Sequence, residues 1–228
     1  MEDKQLFELW ENKIKVELTG EITSNKLRLW SLFHNIGHRA AARFLEDCHI
    51  ASDDMILEIG CGNCNFTKFL KKERLRNYVG LDISQEMLAL AESETRRVQA
   101  DLYSMPFAAG SAGVIISIYN LEHLHRLDDA IDEICRVLSN DGTFLFVIPM
   151  ENGFLYNLGR NLTTRRMVEK RYGIDYMKII REYEHPNNAG DILRNVGKRF
   201  HIKKKHFWPF FIPSVNLNML GIFLAVKK

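Results

Sequence analysis

The stretch Met55–Cys64 reads MILEIGCGNC and decides the fold class. Residues 55–59 are too few for a helix, are apolar except for Glu58, and stop at a turn holding Gly60 and Gly62, as a short buried strand does. Working outward, NFTKFLKK (65–72) reads as a helix and YVGLDI (78–83) as a second strand. SQEMLALAESE (84–94) reads as a helix with Ser84 as its N-cap. RRVQAD (96–101), VIISIYN (114–120) and TFLFVIP (143–149) are three further strands. A helix over roughly 128–138 precedes the last of them, which is entered through the turn Asn140-Asp141-Gly142.

Apolar runs alternating with helices over 54–149 predict βαβ units and a parallel sheet covered on both faces, an α/β fold. Toward the N-terminus, 3–18 and 26–47 read as helices, the second with Leu29, Leu32, Phe33, Ile36 and Ala40 at helical spacing. Toward the C-terminus, 151–185 is irregular, aromatic and Arg-rich, and sits where an insertion would cap the strand ends. A helix near 188–197 and strands near 199–208 and 217–227 would close the sheet. A single domain is expected: N-terminal helices 1–50, core 54–150, cap insertion 151–186, and a last helix with two strands over 187–228.

With 228 residues, 46% hydrophobic and 26% charged, the composition excludes disordered, collagen-like and disulfide-stapled chains. The net charge of +2 hides an asymmetry. Residues 151–228 carry 15 Lys/Arg against 6 Asp/Glu, whereas residues 1–150 carry 16 against 23. Such a basic second half is a solvated face, or attracts a phosphate, a carboxylate or an anionic membrane surface. The opening MEDKQLFELWENK is charged and amphipathic, unlike a signal peptide, so a cytoplasmic location with free thiols at Cys48, Cys61, Cys64 and Cys135 is expected. Cys61 and Cys64 form a lone CxxC with no second one, and no metal is expected. Phe207–Val226 is long enough and uncharged enough for a membrane span. Pro209, Pro213, Asn216, Asn218 and Gly221 inside it argue instead for two strands joined by a loop, with peripheral membrane contact left open.

Open parallel sheets bind ligands beyond the carboxyl ends of their strands, where strand order reverses. Gly60 and Gly62 permit a tight turn with close backbone approach, and Asp82, twenty residues after Gly62, ends the second strand. A carboxylate there can accept both hydroxyls of a ribose. A dinucleotide fingerprint would want glycine where Asn65 stands, and a phosphate-binding loop would need a GK[ST] that is missing.

The ordered set LEIGCGNC, VGLDIS, VQADLYSMPF, IYNLEHL and LSNDGTFLFVIP, over about 54–150, resembles the class I S-adenosylmethionine-dependent methyltransferases of small-molecule type. The resemblance implies a Rossmann-like seven-stranded sheet, mostly parallel with one antiparallel strand. It implies S-adenosyl-L-methionine as cofactor and S-adenosyl-L-homocysteine as product. Carried over by position, Glu58, Gly60, Cys61, Gly62 and Asn63 would line the methionine part, and Asp82 would bind the ribose with Ile83 beside the adenine. Asp101 would face the adenine amino group, Leu102 would present backbone to the ring, Met87 would lie on the adenine, and Tyr119 and Asn120 would lie under the sulfonium. Two departures stand out: Cys64 replaces the family's third glycine, and Ala112-Gly113 replaces the usual acid before the fourth strand.

Methyl transfer from a sulfonium is an in-line displacement in which the cofactor carries the activation. A base is needed only for an acceptor that must lose a proton. Candidates are Glu122, His123 and His125 just beyond the fourth strand, and His185 before the late helix; His123 and His185 are the expected catalytic residues. Glu122 and His123 could instead merely order the loop; His125 reads as solvated, and Tyr103 as part of the cofactor wall. Trp30, His34 and His38 are expected to pack over the pocket, with Arg39 a candidate partner for the cofactor carboxylate. The cap mixes aromatics with Arg and Lys, which suits a flat or amphipathic, anionic acceptor. A small-molecule or lipid-like acceptor taking the methyl on oxygen or carbon is therefore expected, ahead of RNA, protein, or a non-catalytic cofactor-binding module.

Overall fold

The computed structural model describes residues 6, 8–23, 28–48, 50–92 and 94–228. Strands β1 (Met55–Ile59), β2 (Tyr78–Asp82), β3 (Arg97–Gln99), β4 (Ala112–Ile118), β5 (Leu138–Pro149), β6 (Phe200–Trp208) and β7 (Leu220–Lys227) form one sheet in the order β3-β2-β1-β4-β5-β7-β6. All pairings among β1 to β5 are parallel, while β7 runs antiparallel to both β5 and β6. The expected mixed seven-stranded sheet is therefore present, with β7 as its single reversed strand. β5 starts at Leu138, earlier than read from sequence, and the register with β4 breaks between Ala112 and Val114.

Strand side chains alternate between faces, and both faces are buried. Leu57, Ile59, Leu81 and Ile115 share one core with helices α5 (Leu127–Val137) and α9 (Ala189–Arg199). α5 buries Leu127, Ala130, Ile131, Ile134 and Val137, a helical stripe, and α9 starts at a capping box between Asn188 and Asp191. On the opposite face, Ile56, Val114 and Ile116 pack with Ala41, Phe44 and Leu45 of α2 (Arg28–Glu46).

After α1 (Lys15–Thr23) and α2, two helical expectations shorten. The segment after β1 is a 3-10 turn, Asn65–Phe69, then α3 (Lys72–Leu75), because Leu70 and Lys71 are extended. α4 covers only Gln85–Ala89, although Ser84 caps it by accepting the Met87 N–H. The cap insertion consists of α6 (Phe154–Leu162), α7 (Thr164–Tyr172) and α8 (Tyr176–Ile179), followed by a π-helical turn, Ile180–Glu184. It forms its own core with the N-terminal segment: Trp10, Ile14 and Leu18 pack with Val168, Tyr176, Ile179 and Ile180. No helix among the described residues is long and apolar enough to cross a membrane.

Candidate functional site

Strand order reverses beside β1, between β2 and β4, and the carboxyl ends of these strands open a cleft of about 130 Å³. Gly60, Asp82, Ile83, Asp101, Leu102 and Asn120 line it together, and Leu81, Ala100, Tyr103 and Leu124 complete the wall. The Gly62 N–H donates to Asp82 Oδ2 at 2.7 Å, and the Ser84 N–H to Oδ1 at 2.9 Å, so the turn and the carboxylate meet. Gly60 holds φ +64, and a Cβ there would stand 2.3 Å from Asn120 Cγ; only glycine fits. Asp101 caps the turn that follows it, accepting the Tyr103 N–H at 2.9 Å.

Glu58, Cys61, Gly62, Asn63, Met87 and Tyr119 stand outside the cleft wall. Glu58 is buried behind the loop, accepting a hydrogen bond from the Tyr78 hydroxyl, and burial raises its carboxyl to about 8. Cys61 and Cys64 are free thiols with sulfurs 3.5 Å apart, packed over Gly80, whose missing Cβ leaves the room. Cys64 adopts φ +55, the left-handed conformation that a glycine takes without penalty. Gly113, where the usual acid is missing, lies against the Asp54 side chain. Tyr119 turns away under α2, its ring 4.7 Å from His34 and 6.4 Å from Phe33, while Met87 approaches Gly62. His34 is held neutral: burial, aided by His38, lowers its imidazole to about 3. His38 Nδ1 bonds the His34 carbonyl at 2.8 Å and its ring stacks on Phe69, so both histidines pack, as expected. Arg39 is exposed and stands outside the cleft wall, and the Trp30 side chain lies outside the described residues.

His123 and His185, read separately from sequence, come together with ring centroids 4.6 Å apart. Asn187 makes the junction, donating through Nδ2 to the carbonyls of Leu121 and Leu124 and through its N–H to that of Glu122. His123 Nδ1 lies 2.8 Å from the Glu184 carbonyl, and His185 Nδ1 2.7 Å from Glu151 Oε1. Burial alone would raise the Glu151 carboxyl, but His185, Arg160 and His123 together hold it below the ordinary range. Glu122 is fully enclosed, its Oε2 lacks a hydrogen-bond partner, and burial raises its carboxyl to about 7. His125 is exposed, as expected.

Sequence reasoning missed Glu151, Glu184, Arg160 and Lys15. The available signal was Glu151, a carboxylate two residues past the end of the buried strand β5. His123, Glu184 and His185 offer ligand atoms within 4.8 Å of one another, a spacing open to a metal ion. Their charges are already balanced, however: Lys15 Nζ lies 3.1 Å from Glu184 and Arg160 3.2 Å from Glu151. A dication there would be opposed by those ammonium and guanidinium groups. A second cavity, about 460 Å³ and polar, lies between this cluster and the cap; Glu151, Arg160, Arg165, Arg181 and His185 are among its walls.

The family described as "Methyltransferase domain" matches residues 57–146. An uncharacterized protein of Methanocaldococcus jannaschii is 34% identical over 119 residues, 51% of this chain and 45% of its own length. Demethylmenaquinone methyltransferase of Lactobacillus johnsonii is 28% identical over 111 residues, 44% of this chain and 46% of its own. Arginine-hydroxylase NDUFAF5 of Rattus norvegicus is 30% identical over 171 residues, 73% of this chain and 48% of its own. The chain thus spans less than half the length of these curated relatives. A solved S-adenosylmethionine-dependent methyltransferase of Archaeoglobus fulgidus shares the fold at TM-score 0.61 and 15% identity, covering 86% of this chain and 94% of that one.

Fold and matched core together define a class I S-adenosylmethionine-dependent methyltransferase domain. The match covers residues 57–146, and a solved geranyl diphosphate methyltransferase in complex with S-adenosylmethionine shares the fold at TM-score 0.56 and 12% identity, covering 83% of this chain and 85% of that one.

Proposed function

We propose that the protein transfers a methyl group from S-adenosyl-L-methionine to oxygen or carbon of a small-molecule or lipid-like acceptor. The 2.7 Å contact between the Gly62 N–H and Asp82 carries the reading, because it sets a bulk-free turn beside a sugar-binding carboxylate in one cleft. The cleft wall is consistent with such a ligand: glycine at position 60 lets the Asn120 carboxamide pack against the turn, and Asp82 and Asp101 stand in the same wall.

Bound there, the cofactor supplies an electrophilic methyl on a sulfonium with a neutral thioether leaving group. Asp82 would accept the ribose hydroxyls, Asp101 and Leu102 would meet the adenine beside Ile83, and Gly60 and Asn120 would border the methionine end. Glu58, Cys61, Gly62, Asn63, Met87 and Tyr119 act from behind, shaping the loop and its floor. The protein's task is to hold the acceptor atom in line, at about 3–3.5 Å from the methyl, and to keep water out. His185, oriented by Glu151, and His123, oriented by the Glu184 carbonyl, are the general-base candidates for an acceptor that must release a proton. Arg181 adds a cation to the larger cavity beside the Arg160–Glu151 and Arg165–Glu169 ion pairs, and these guanidinium groups suit an anionic acceptor. Demethylmenaquinone methyltransferase among the relatives supports a lipid-like acceptor. A protein side chain is the second reading, favoured by the 73% of this chain that aligns with NDUFAF5.

Titration calorimetry with S-adenosylmethionine and S-adenosylhomocysteine tests the cofactor site. Micromolar binding of both is expected, with Asp82→Ala weakening each by about tenfold or more, since hydrogen bonds to a charged group contribute about 1.5–3 kcal/mol. Absence of binding to either molecule removes the enzyme reading. Labelled methyl transfer onto lipid extracts and onto denatured proteins then separates the two acceptor readings.

A further inference from the structure

Helix α6 has two faces of opposite character. Asn157, Arg160 and Asn161 line the polar cavity, whereas Phe154, Leu158 and Leu162, spaced by four, are exposed, Phe154 by 68%. The loop between β6 and β7 lies against this helix: the Leu155 N–H donates to the Asn216 carbonyl at 3.0 Å, and a Cβ on Gly153 would stand 2.1 Å from the Val215 oxygen. That loop exposes Phe210, Phe211, Ile212, Val215 and Leu217, Phe211 by 66%. Scattered apolar side chains are ordinary on a surface, but eight large ones on two touching segments form a patch that calls for a cover.

The patch is built rather than frayed. Asn218, fully buried, accepts the Phe210 N–H at 3.1 Å and donates to the carbonyls of Ile212 and Ser214 at 2.6 and 2.7 Å. The loop's backbone is thus satisfied inward while its apolar side chains face out. Phe211 sits at φ +62, a conformation that costs a bulky residue energy.

Charge selects the occupant. Residues 152–168 hold three arginines and residues 200–228 five lysines; Arg160 pairs with Glu151, Arg165 with Glu169 and Lys204 with Asp47. Arg166, Lys203 and Lys205 are exposed. A second copy of this chain packed on the face would set cations against cations. A bilayer with anionic headgroups complements both features, taking the apolar side chains at the acyl boundary and the cations at the phosphates. We propose that α6 and the β6–β7 loop dock this protein on an anionic lipid bilayer. A lipid acceptor entering the cavity from that bilayer follows only if the methyltransferase reading also holds.

The test is sedimentation of the full chain with vesicles of equal parts phosphatidylcholine and phosphatidylglycerol, and with phosphatidylcholine alone. Binding to the mixed vesicles is expected, weaker by about tenfold or more on the neutral ones and falling as salt rises. Phe154→Ser combined with Phe211→Asn removes two apolar anchors, and asparagine tolerates the left-handed backbone. That variant should bind the mixed vesicles about tenfold or more weakly while keeping the wild-type melting temperature. Lys203→Glu with Lys205→Glu should weaken binding to the mixed vesicles alone. No sedimentation with mixed vesicles, equal sedimentation of the wild type and the Phe154/Phe211 variant, or a dimer in light scattering that the same variant dissociates, would each overturn the proposal. Vesicle binding needs neither cofactor nor acceptor, so its failure is separable from failure of cofactor binding.

Discussion

Replacing Glu58 by glutamine converts a buried titrating group into a permanently neutral one of nearly the same shape. Glu58 is 3% exposed on β1 and bonded by Tyr78, and burial raises its carboxyl from 4.5 to about 8. Between those values the folded chain keeps a proton that the unfolded chain has released, so stability falls as pH rises. One pH unit corresponds to about 1.4 kcal/mol, and the full interval to about 5 kcal/mol, a large part of a typical domain's stability. Below about pH 4.5 both states hold the proton and the penalty is absent; above about 8 both have lost it and the penalty is constant. Urea unfolding of wild type and Glu58→Gln at unit steps from pH 5 to 9 reads this directly. The variant's advantage should grow by about 1.4 kcal/mol per unit up to pH 8 and then level off. Parallel curves between pH 5 and 8 would refute the reasoning, showing that Glu58 is ionised in the folded chain and that Tyr78 donates to a carboxylate.

Gly60→Ala brings a Cβ to 2.3 Å from Asn120 Cγ at φ +64; it should cost about 1–2 kcal/mol in thermal unfolding and weaken cofactor binding in calorimetry by about tenfold or more. Unchanged binding would show that the turn is not the cradle. His185→Gln and Glu151→Gln should each lower kcat in the labelled-methyl assay, the first by about 10²–10⁴-fold, while S-adenosylhomocysteine affinity stays at the wild-type value. Equal losses of cofactor affinity would make the pair structural. Arg165→Glu with Arg181→Glu should raise acceptor KM without touching cofactor affinity, whereas Arg166→Glu, an exposed site outside the cavity wall, should leave KM alone.

The sheet was legible because its strands are buried on both faces and read as apolar runs; β4, buried along its whole length, is the clearest. The helices between them were less legible, because tertiary demands override local propensity. NFTKFLKK has the composition of a helix, but the chain leaves Cys64 in a left-handed conformation and is extended at Leu70 and Lys71. SQEMLALAESE ends its helix at Ala89, and Arg97 at the start of β3 then binds the Ala91 and Glu92 carbonyls.

The end of the site proposed for the cofactor was legible for a different reason. Gly60, Gly62 and Asp82 lie at the ends of neighbouring parallel strands, and β1 pairs with β2 in a register that aligns Ile59 with Leu81. Spacing along the chain therefore translates into proximity through sheet geometry alone. No such rule joins His123 to His185, since their meeting depends on loop contacts, through Asn187 and through His123 on the Glu184 carbonyl. Glu151 becomes meaningful only once His185 is beside it, and Arg160 only once α6 turns it back onto Glu151. The half of the site proposed to recognise the cofactor is thus written in sheet register, while the half proposed to meet the acceptor is written in loop contacts. The acceptor's chemistry must accordingly be read from the folded cluster and the cavity beside it.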